Sequence, residues 1–173
     1  MVVVITVTDA AESSTSVVLS KMLESSLDKR RIDNESVHST QPQAILDMSS
    51  SEATNTEFSN QMYNKEFSFH VDVRSFESEE GSPTESFDFL IASTPRITDG
   101  DLNETILNTL KQFSDVEQIS LEYNSMYPSI YANLVLEIPT VTILVGESSI
   151  DLYRAAADEV AEVIRITSNR TVK

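Results

Sequence analysis

The fold is decided by residues 2–29, VVVITVTDAAESSTSVVLSKMLESSLDK. Val2 to Val7 form a run of β-branched side chains, which is typical of a buried parallel strand. A polar loop, Thr8 to Ser16, follows, and apolar residues then recur at helical spacing from Val18 to Leu27. The basic residues 29–31 stand where the C-terminal end of a helix attracts cations. The segment therefore predicts a strand, a loop and a helix, a common opening of α/β folds.

The second half of the chain alternates between strand and helix patterns. We predict buried strands at 87–92 and 140–145, a short strand at 119–123, and helices at 101–113 and 150–164. Phe67 to Arg74 alternates apolar with polar residues, which predicts a half-exposed strand near a sheet edge with His70 on its outward face. Together these patterns predict one α/β domain over residues 1–173. We expect a three-layer sandwich with a mostly parallel sheet of about five strands, of the P-loop or flavodoxin type.

A polar segment interrupts this pattern at about residues 33–65. It is rich in Ser, Asn, Thr, Glu and Gln, and few of its side chains are suited to burial. We therefore predict a long loop or insertion that can be mobile.

Charge and composition exclude several classes of function. The chain has 28 acidic and 12 basic residues, a net charge of -16, two His and no Cys. Phosphate backbones and anionic membranes attract clustered Lys and Arg, so we expect no nucleic-acid and no membrane partner. Without Cys or a close pair of His, the sequence predicts neither a metal site nor a catalytic residue. The acid excess with scarce Lys is typical of proteins adapted to high salt, which predicts unfolding as salt is lowered, and it is equally typical of an acidic interaction module.

No segment has the length of a membrane helix, and the first apolar run lacks the basic residues of a signal peptide. We therefore expect a cytoplasmic protein.

Two segments resemble the motifs of ParA/MinD-type P-loop ATPases. Residues 7–23, VTDAAESSTSVVLSKML, resemble the family's strand, phosphate loop and helix; Thr15 then matches the hydroxyl that binds magnesium, and Ser14 replaces the phosphate lysine. Residues 87–107, FDFLIASTPRITDGDLNETIL, resemble the second motif, with Ser93 in place of its aspartate. The candidate binding residues that the resemblance implies are Ser13, Ser14, Thr15, Ser16, Ser93 and Thr94.

The departures from the P-loop pattern decide the predicted mechanism. A P-loop needs glycines, which let backbone N–H groups converge on phosphate, and a lysine to neutralise it. This loop has neither, and it carries Asp9 and Glu12. Like charges about 4 Å apart repel by roughly 4 kcal/mol at an effective dielectric constant near 20. We therefore predict a lost nucleotide site, no cofactor, and a non-catalytic domain that acts by binding another protein.

Three alternatives remain open. Residues 12–16, ESSTS, also resemble the phosphate loop of flavodoxins, which implies an FMN-binding redox protein with a tyrosine stacked on the flavin. Residues 122–130, EYNSMYPSI, resemble motif A of family B DNA polymerases, although a helix that starts at Pro128 explains them better. The third alternative is a structural or accessory protein of a halophile or its virus.

Overall fold

The computed structural model describes residues 1–8, 14–39, 67–75, 87–93, 100–120 and 137–171. Within these ranges the chain forms six strands and three helices. In chain order they are β1 Val2–Thr8, α1 Thr15–Lys29, β2 Asp33–Ser39, β3 Phe69–Ser75, β4 Phe89–Ser93, α2 Gly100–Lys111, β5 Val116–Ser120, β6 Thr140–Val145 and α3 Ile150–Thr171. The last helix is longer than its apolar pattern predicted, and the strand predicted at 119–123 is shifted to 116–120. The rest of that prediction, 121–123, lies outside the described residues.

All six strands belong to one sheet, in the order β2-β1-β3-β6-β4-β5. The first four of these strands are parallel to one another. The last two, β4 and β5, are parallel to each other, but β4 runs antiparallel to β6. The prediction of a mostly parallel sheet is therefore confirmed, with six strands rather than about five.

The described helices cover one face of this sheet. Val7, Val73, Ile143 and Ile91 are register partners across the four central strands and belong to the same apolar core as side chains of α1, α2 and α3. Their β-branched side chains suit strands whose two faces are both buried. This face therefore contains the main core of the domain.

The opposite face is also buried, but its centre is polar. Thr6, Asp72 and Thr142 are register partners on β1, β3 and β6, and each is at most 4% exposed. A sheet buried on both faces is the middle layer of a three-layer sandwich, as predicted.

The position of β3 differs from the prediction. The alternating pattern of residues 67–74 indicated a half-exposed strand near an edge, whereas β3 lies between β1 and β6 with His70 fully buried. The prediction was wrong because the polar side chains of β3 bond to one another and to Thr6 instead of to water.

The end of α1 has a hydrogen-bonded cap. The N–H of Ile32 donates to the carbonyl of Leu27, and the N–H of Arg31 donates to that of Asp28, which is the Schellman pattern. Arg31 takes the left-handed conformation, with φ of 57°, at a position where glycine is usual. Leu27 and Ile32 are both buried in the core, so the cap also directs the chain into β2.

The predicted insertion at 33–65 begins with a strand instead of a loop. Residues 33–39 form β2, which pairs with β1 along its whole length; residues 40–65 lie outside the described residues. In the described part of the chain, no helix combines the length and apolarity needed to cross a membrane.

Candidate functional site

The carboxyl ends of β1, β3 and β6 meet at one edge of the sheet, and α1 begins there. Open α/β sheets generally bind ligands at this edge. The Thr15 hydroxyl donates to the carbonyl oxygen of Val145, the last residue of β6, at 2.8 Å. The same Oγ1 lies 3.0 Å from Oγ of Ser75, the last residue of β3. These contacts join the start of the helix to the ends of two strands.

Two further serines extend this hydroxyl cluster, which comprises Ser14, Thr15, Ser16 and Ser75. The N–H of Ser16 donates to Ser75 Oγ at 3.1 Å, and the Ser75 hydroxyl donates to Ser16 Oγ at 3.0 Å. Ser14 Oγ lies 3.1 Å from Ser16 Oγ. The structure thus brings together three of the sequence-predicted site residues, and their hydrogen bonds join α1 to the ends of β3 and β6. Ser13 lies outside the described residues.

The remaining predicted site residues belong to a different edge. Because β4 is antiparallel to β6, with Phe89 beside Val145 and Ala92 beside Thr142, the end of β4 lies near the start of β6. Ser93 is therefore about 13 Å along the sheet from the carbonyl that Thr15 contacts, at roughly 3.3 Å per residue. Thr94 lies outside the described residues. The end of β4 thus lies at the opposite edge of the sheet from the ends of β1 and β6.

Tyr153 fixes the loop that follows β6. Its hydroxyl donates to the Gly146 carbonyl at 2.5 Å and accepts from the Ser148 N–H at 2.7 Å. Its ring meets Phe89 edge-on, with centroids 6.3 Å apart. Burial raises the pKa of Tyr153, and the nearby carboxylates of Glu147 and Asp88 raise it further, against the Ser148 bond that lowers it. The tyrosine is therefore neutral at pH 7, and its hydroxyl holds the loop after β6 in place.

Two carboxylates lie at the same edge, near Tyr153. Glu147 is exposed in the loop after β6. Asp88 precedes β4, and its carbonyl accepts the N–H of Gly146 at 2.8 Å, while its carboxylate accepts the N–H of Asp115 at 2.9 Å. Sequence reasoning did not single out either residue. The signal for Glu147 was its position directly after a buried strand that ends in Gly146.

A second polar cluster lies under the opposite face, at the centre of the sheet. We call Thr6, His70, Asp72 and Arg74 the central cluster. Thr6 Oγ1 donates to Asp72 Oδ1 and lies 2.7 Å from His70 Nε2, and Arg74 Nε donates to Asp72 Oδ2 at 2.8 Å. The Thr6 proton goes to the carboxylate, so Nε2 of His70 carries the proton of the other bond. The sequence signal was an acid and a base two residues apart on the same strand face.

The central cluster is electrically balanced. Burial lowers the pKa of His70 to about 4, since the raising effect of Asp72 is smaller and Arg74 adds to the lowering. The imidazole is therefore neutral at pH 7, beside one carboxylate and one guanidinium. A surface histidine was expected here, and the structure corrects that expectation. The cluster is suited to holding β1 and β3 in register.

Within the described ranges, no three His, Cys, Asp or Glu side chains come together in a way that can hold a metal ion.

Comparisons with known proteins identify the fold. No known protein family matches the sequence, and no curated protein matches it. A metallo-carboxypeptidase from Burkholderia cenocepacia has a TM-score of 0.65 at 9% identity, over 98% of this chain and 57% of its own. The catalytic domain of the CD27L endolysin, which targets Clostridia difficile, has a TM-score of 0.57 at 9% identity, over 96% and 97%. A succinylglutamate desuccinylase from Vibrio parahaemolyticus has a TM-score of 0.52 at 13% identity, over 94% and 65%.

These similarities correct the family interpretation. The chain has a fold similar to that of the metallo-carboxypeptidase and spans about 57% of that protein. The ParA/MinD interpretation is therefore wrong, and so is the non-catalytic, partner-binding function drawn from it. The flavodoxin and accessory-protein alternatives are overturned by the same similarities. Thr15, to which the P-loop interpretation gave a magnesium-binding role, instead donates its hydroxyl to Val145.

Proposed function

We propose that this chain is a hydrolase that cleaves an amide bond. The observation that carries the proposal is the similarity of fold, over nearly the whole chain, to a carboxypeptidase, an endolysin catalytic domain and a desuccinylase. Two of those names denote the hydrolytic release of an amino acid from a group bound to it. The activity proposed for this chain is of the same type.

The proposed site lies at the carboxyl edge of β1, β3 and β6. This is where open α/β sheets bind their ligands. In the described part of this edge, Glu147 is an exposed carboxylate on a loop whose backbone is held on both sides, at Gly146 and Ser148, by Tyr153. A fixed loop matters because a general base must stay within hydrogen-bond reach of the proton that it removes.

Glu147 is the residue to which we assign proton transfer. Its carboxylate takes a proton from water while the water oxygen attacks the carbonyl carbon of the amide. The protonated carboxyl then returns that proton to the nitrogen as the C–N bond breaks, so that a carboxylic acid and an amine are released. A carboxylate in this role typically contributes about 10²–10⁴-fold to the rate.

The charge of the protein supports a neutral or cationic substrate. With a net charge of -16, the protein repels anions at long range and attracts cations. A peptide or protein substrate with basic residues fits this field, and it would be the protein partner that the sequence predicted.

The test is an amide-hydrolysis assay at high salt. The purified protein is incubated with neutral, basic and acidic peptides and N-acyl amino acids, and released amine is measured by fluorescence. We expect release from neutral or basic substrates, and about a 100-fold loss in Glu147→Gln.

The matched control is Asp151→Asn, because Asp151 is an exposed carboxylate four residues further on, in the first turn of α3. This variant should keep the activity of the natural sequence. If no substrate releases amine above a protein-free blank, or if Glu147→Gln and Asp151→Asn are equally active, the proposed function or its assignment to Glu147 is wrong.

A further inference from the structure

The fold raises the question of a metal, because the carboxypeptidase that it resembles is described as a metalloenzyme. Catalytic zinc in hydrolases is usually held by three protein ligands: three His, two His with one Glu, or two Cys with one His. This chain has two His and no Cys. Only the set of two His with one carboxylate can therefore be assembled from its residues, and that set requires both His38 and His70.

His38 lies on the helix-covered face of the sheet. It is the register partner of Val7 in the parallel pair of β2 and β1. Side chains at paired positions of neighbouring strands point to the same face. Val7 is in the apolar core that includes side chains of α1 and α3. His38 therefore projects to the helix side, near the carboxyl end of an edge strand, and is exposed there.

His70 lies on the other face, near the beginning of β3. Its register partners are Val4 on β1 and Thr140 on β6. Val4 is three residues before Val7, and an odd separation along a strand places the two side chains on opposite faces. The sheet itself thus separates the two histidines, and no single metal ion can be bound by both.

The central cluster also engages the imidazole of His70. Its Nε2 lies 2.7 Å from Thr6 Oγ1, whose own proton goes to Asp72, so this nitrogen is a hydrogen-bond donor. This excludes Nε2 as a metal ligand, because a ligand nitrogen must carry no proton. His70 is also completely buried. Its position is thus that of a structural residue in the centre of the sheet.

We infer that this chain holds no zinc ion through its histidines, and that its hydrolytic site is independent of histidine-bound zinc. The residues do not fit the metal that the fold implies. The second half of the inference rests on the proposed function, whereas the first half concerns metal binding alone. The chain thus has the architecture of a metallohydrolase but a different chemistry at the carboxyl edge.

The first experiment measures zinc binding without any activity assay. The full chain is incubated with excess zinc at high salt and dialysed, and its zinc content is measured by mass spectrometry, for the natural sequence, His38→Ala and His70→Gln. Gln keeps a donor near the position of Nε2, and circular dichroism checks that each variant is folded. An exposed neighbour on the same strand, Asp33→Ala, is the control for His38→Ala.

We expect all folded forms to retain the same zinc content, whether none or a small amount bound by surface carboxylates. A full equivalent in the natural sequence that is lost in His38→Ala but kept in Asp33→Ala would overturn the inference. Since His38 is exposed, this comparison stays decisive even if His70→Gln does not fold.

The second experiment separates this inference from the proposed function. Amide hydrolysis is measured with and without a zinc chelator, in the natural sequence and in His38→Ala. Hydrolysis that persists in both supports both claims. Hydrolysis that the chelator and His38→Ala each abolish leaves the proposed function intact and overturns the inference. If no hydrolysis occurs and no histidine-dependent zinc is found, the proposed function fails and the zinc inference stands.

Discussion

Replacing Arg74 with methionine should destabilise the protein by about 3–4 kcal/mol at pH 7, because it leaves the Asp72 carboxylate buried without its counter-charge. Arg74 Nε donates to Asp72 Oδ2 at 2.8 Å, and the two side chains are 5% and 0% exposed. Asp72 would keep the hydrogen bond from Thr6 to its other oxygen. Methionine fills much of the volume of arginine, so the change mainly removes the charge.

Two limits set the size of this loss. Removing one partner of a buried ion pair typically costs about 3–5 kcal/mol. A buried carboxylate that loses its partner can take up a proton instead, which at pH 7 costs about 4 kcal/mol for a side chain that ordinarily titrates near about 3.9. Protonation therefore caps the loss.

The assay is urea unfolding followed by circular dichroism at one fixed high salt concentration. The natural sequence and Arg74→Met are compared with the double variant Asp72→Asn/Arg74→Met, which buries no charge and should recover most of the lost stability. The control is Arg154→Met. It breaks an exposed pair with Asp151, whose side chains are 61% and 93% exposed, and should change the stability by less than about 0.5 kcal/mol. A loss below about 1 kcal/mol in Arg74→Met, or a double variant no more stable than the single one, would refute the reasoning.

Three further predictions concern single residues. Arg31→Gly should raise the free energy of unfolding by about 1 kcal/mol, since Arg31 is left-handed at φ of 57°; unchanged or lower stability in thermal unfolding would contradict this. Lowering the pH from about 6.5 to about 4 should reduce the free energy of unfolding by about 3 kcal/mol through His70. The pKa of His70 is about 4 in the folded protein, below its unfolded value, so the unfolded chain binds the extra proton in this range. This part of the pH slope should be missing from a folded His70→Gln variant. Tyr153→Phe should lower the free energy of unfolding by about 1–2 kcal/mol and speed hydrogen exchange at the Ser148 amide. Unchanged exchange would show that the Tyr153 hydroxyl does not hold the loop after β6.

The sequence predicted those strands and helices whose apolar residues recur at a characteristic spacing. The β-branched run of β1 and the apolar stripe of α1 indicate their structures directly, because burial of those side chains needs a particular period. The residues of β2, DNESVHS, include no such run. They form a strand because β1 offers seven consecutive pairing partners, from Val2 to Thr8, and pairing of this kind overrides intrinsic propensity. The residues of β2 by themselves do not show that β1 is available as a pairing partner.

Strand direction was the second property that the sequence did not reveal. The P-loop resemblance placed Ser93 in the same candidate site as Thr15, which requires β4 to point the same way as β1. Gly146 donates its N–H to the carbonyl of Asp88, which places the start of β4 beside the end of β6. The reversal moves Ser93 away from the proposed site and brings Asp88 to it. Direction depends on the path of the connecting segments, so the local pattern of either strand cannot supply it.

The hydroxyl-rich loop before α1 shows why a short motif misled the functional interpretation. Serine and threonine hydroxyls in such a loop can bind a ligand, or they can fasten the helix to the sheet, and the sequence is the same in both cases. The contacts decide between these uses: Thr15 donates to the Val145 carbonyl, and Ser16 and Ser75 bond to each other. Hydroxyls committed to these internal bonds are poorly placed to attack or hold a substrate. The carboxylate of Glu147 at the same edge is exposed, and for that reason the chemistry of the proposed hydrolase is assigned to the loop after β6.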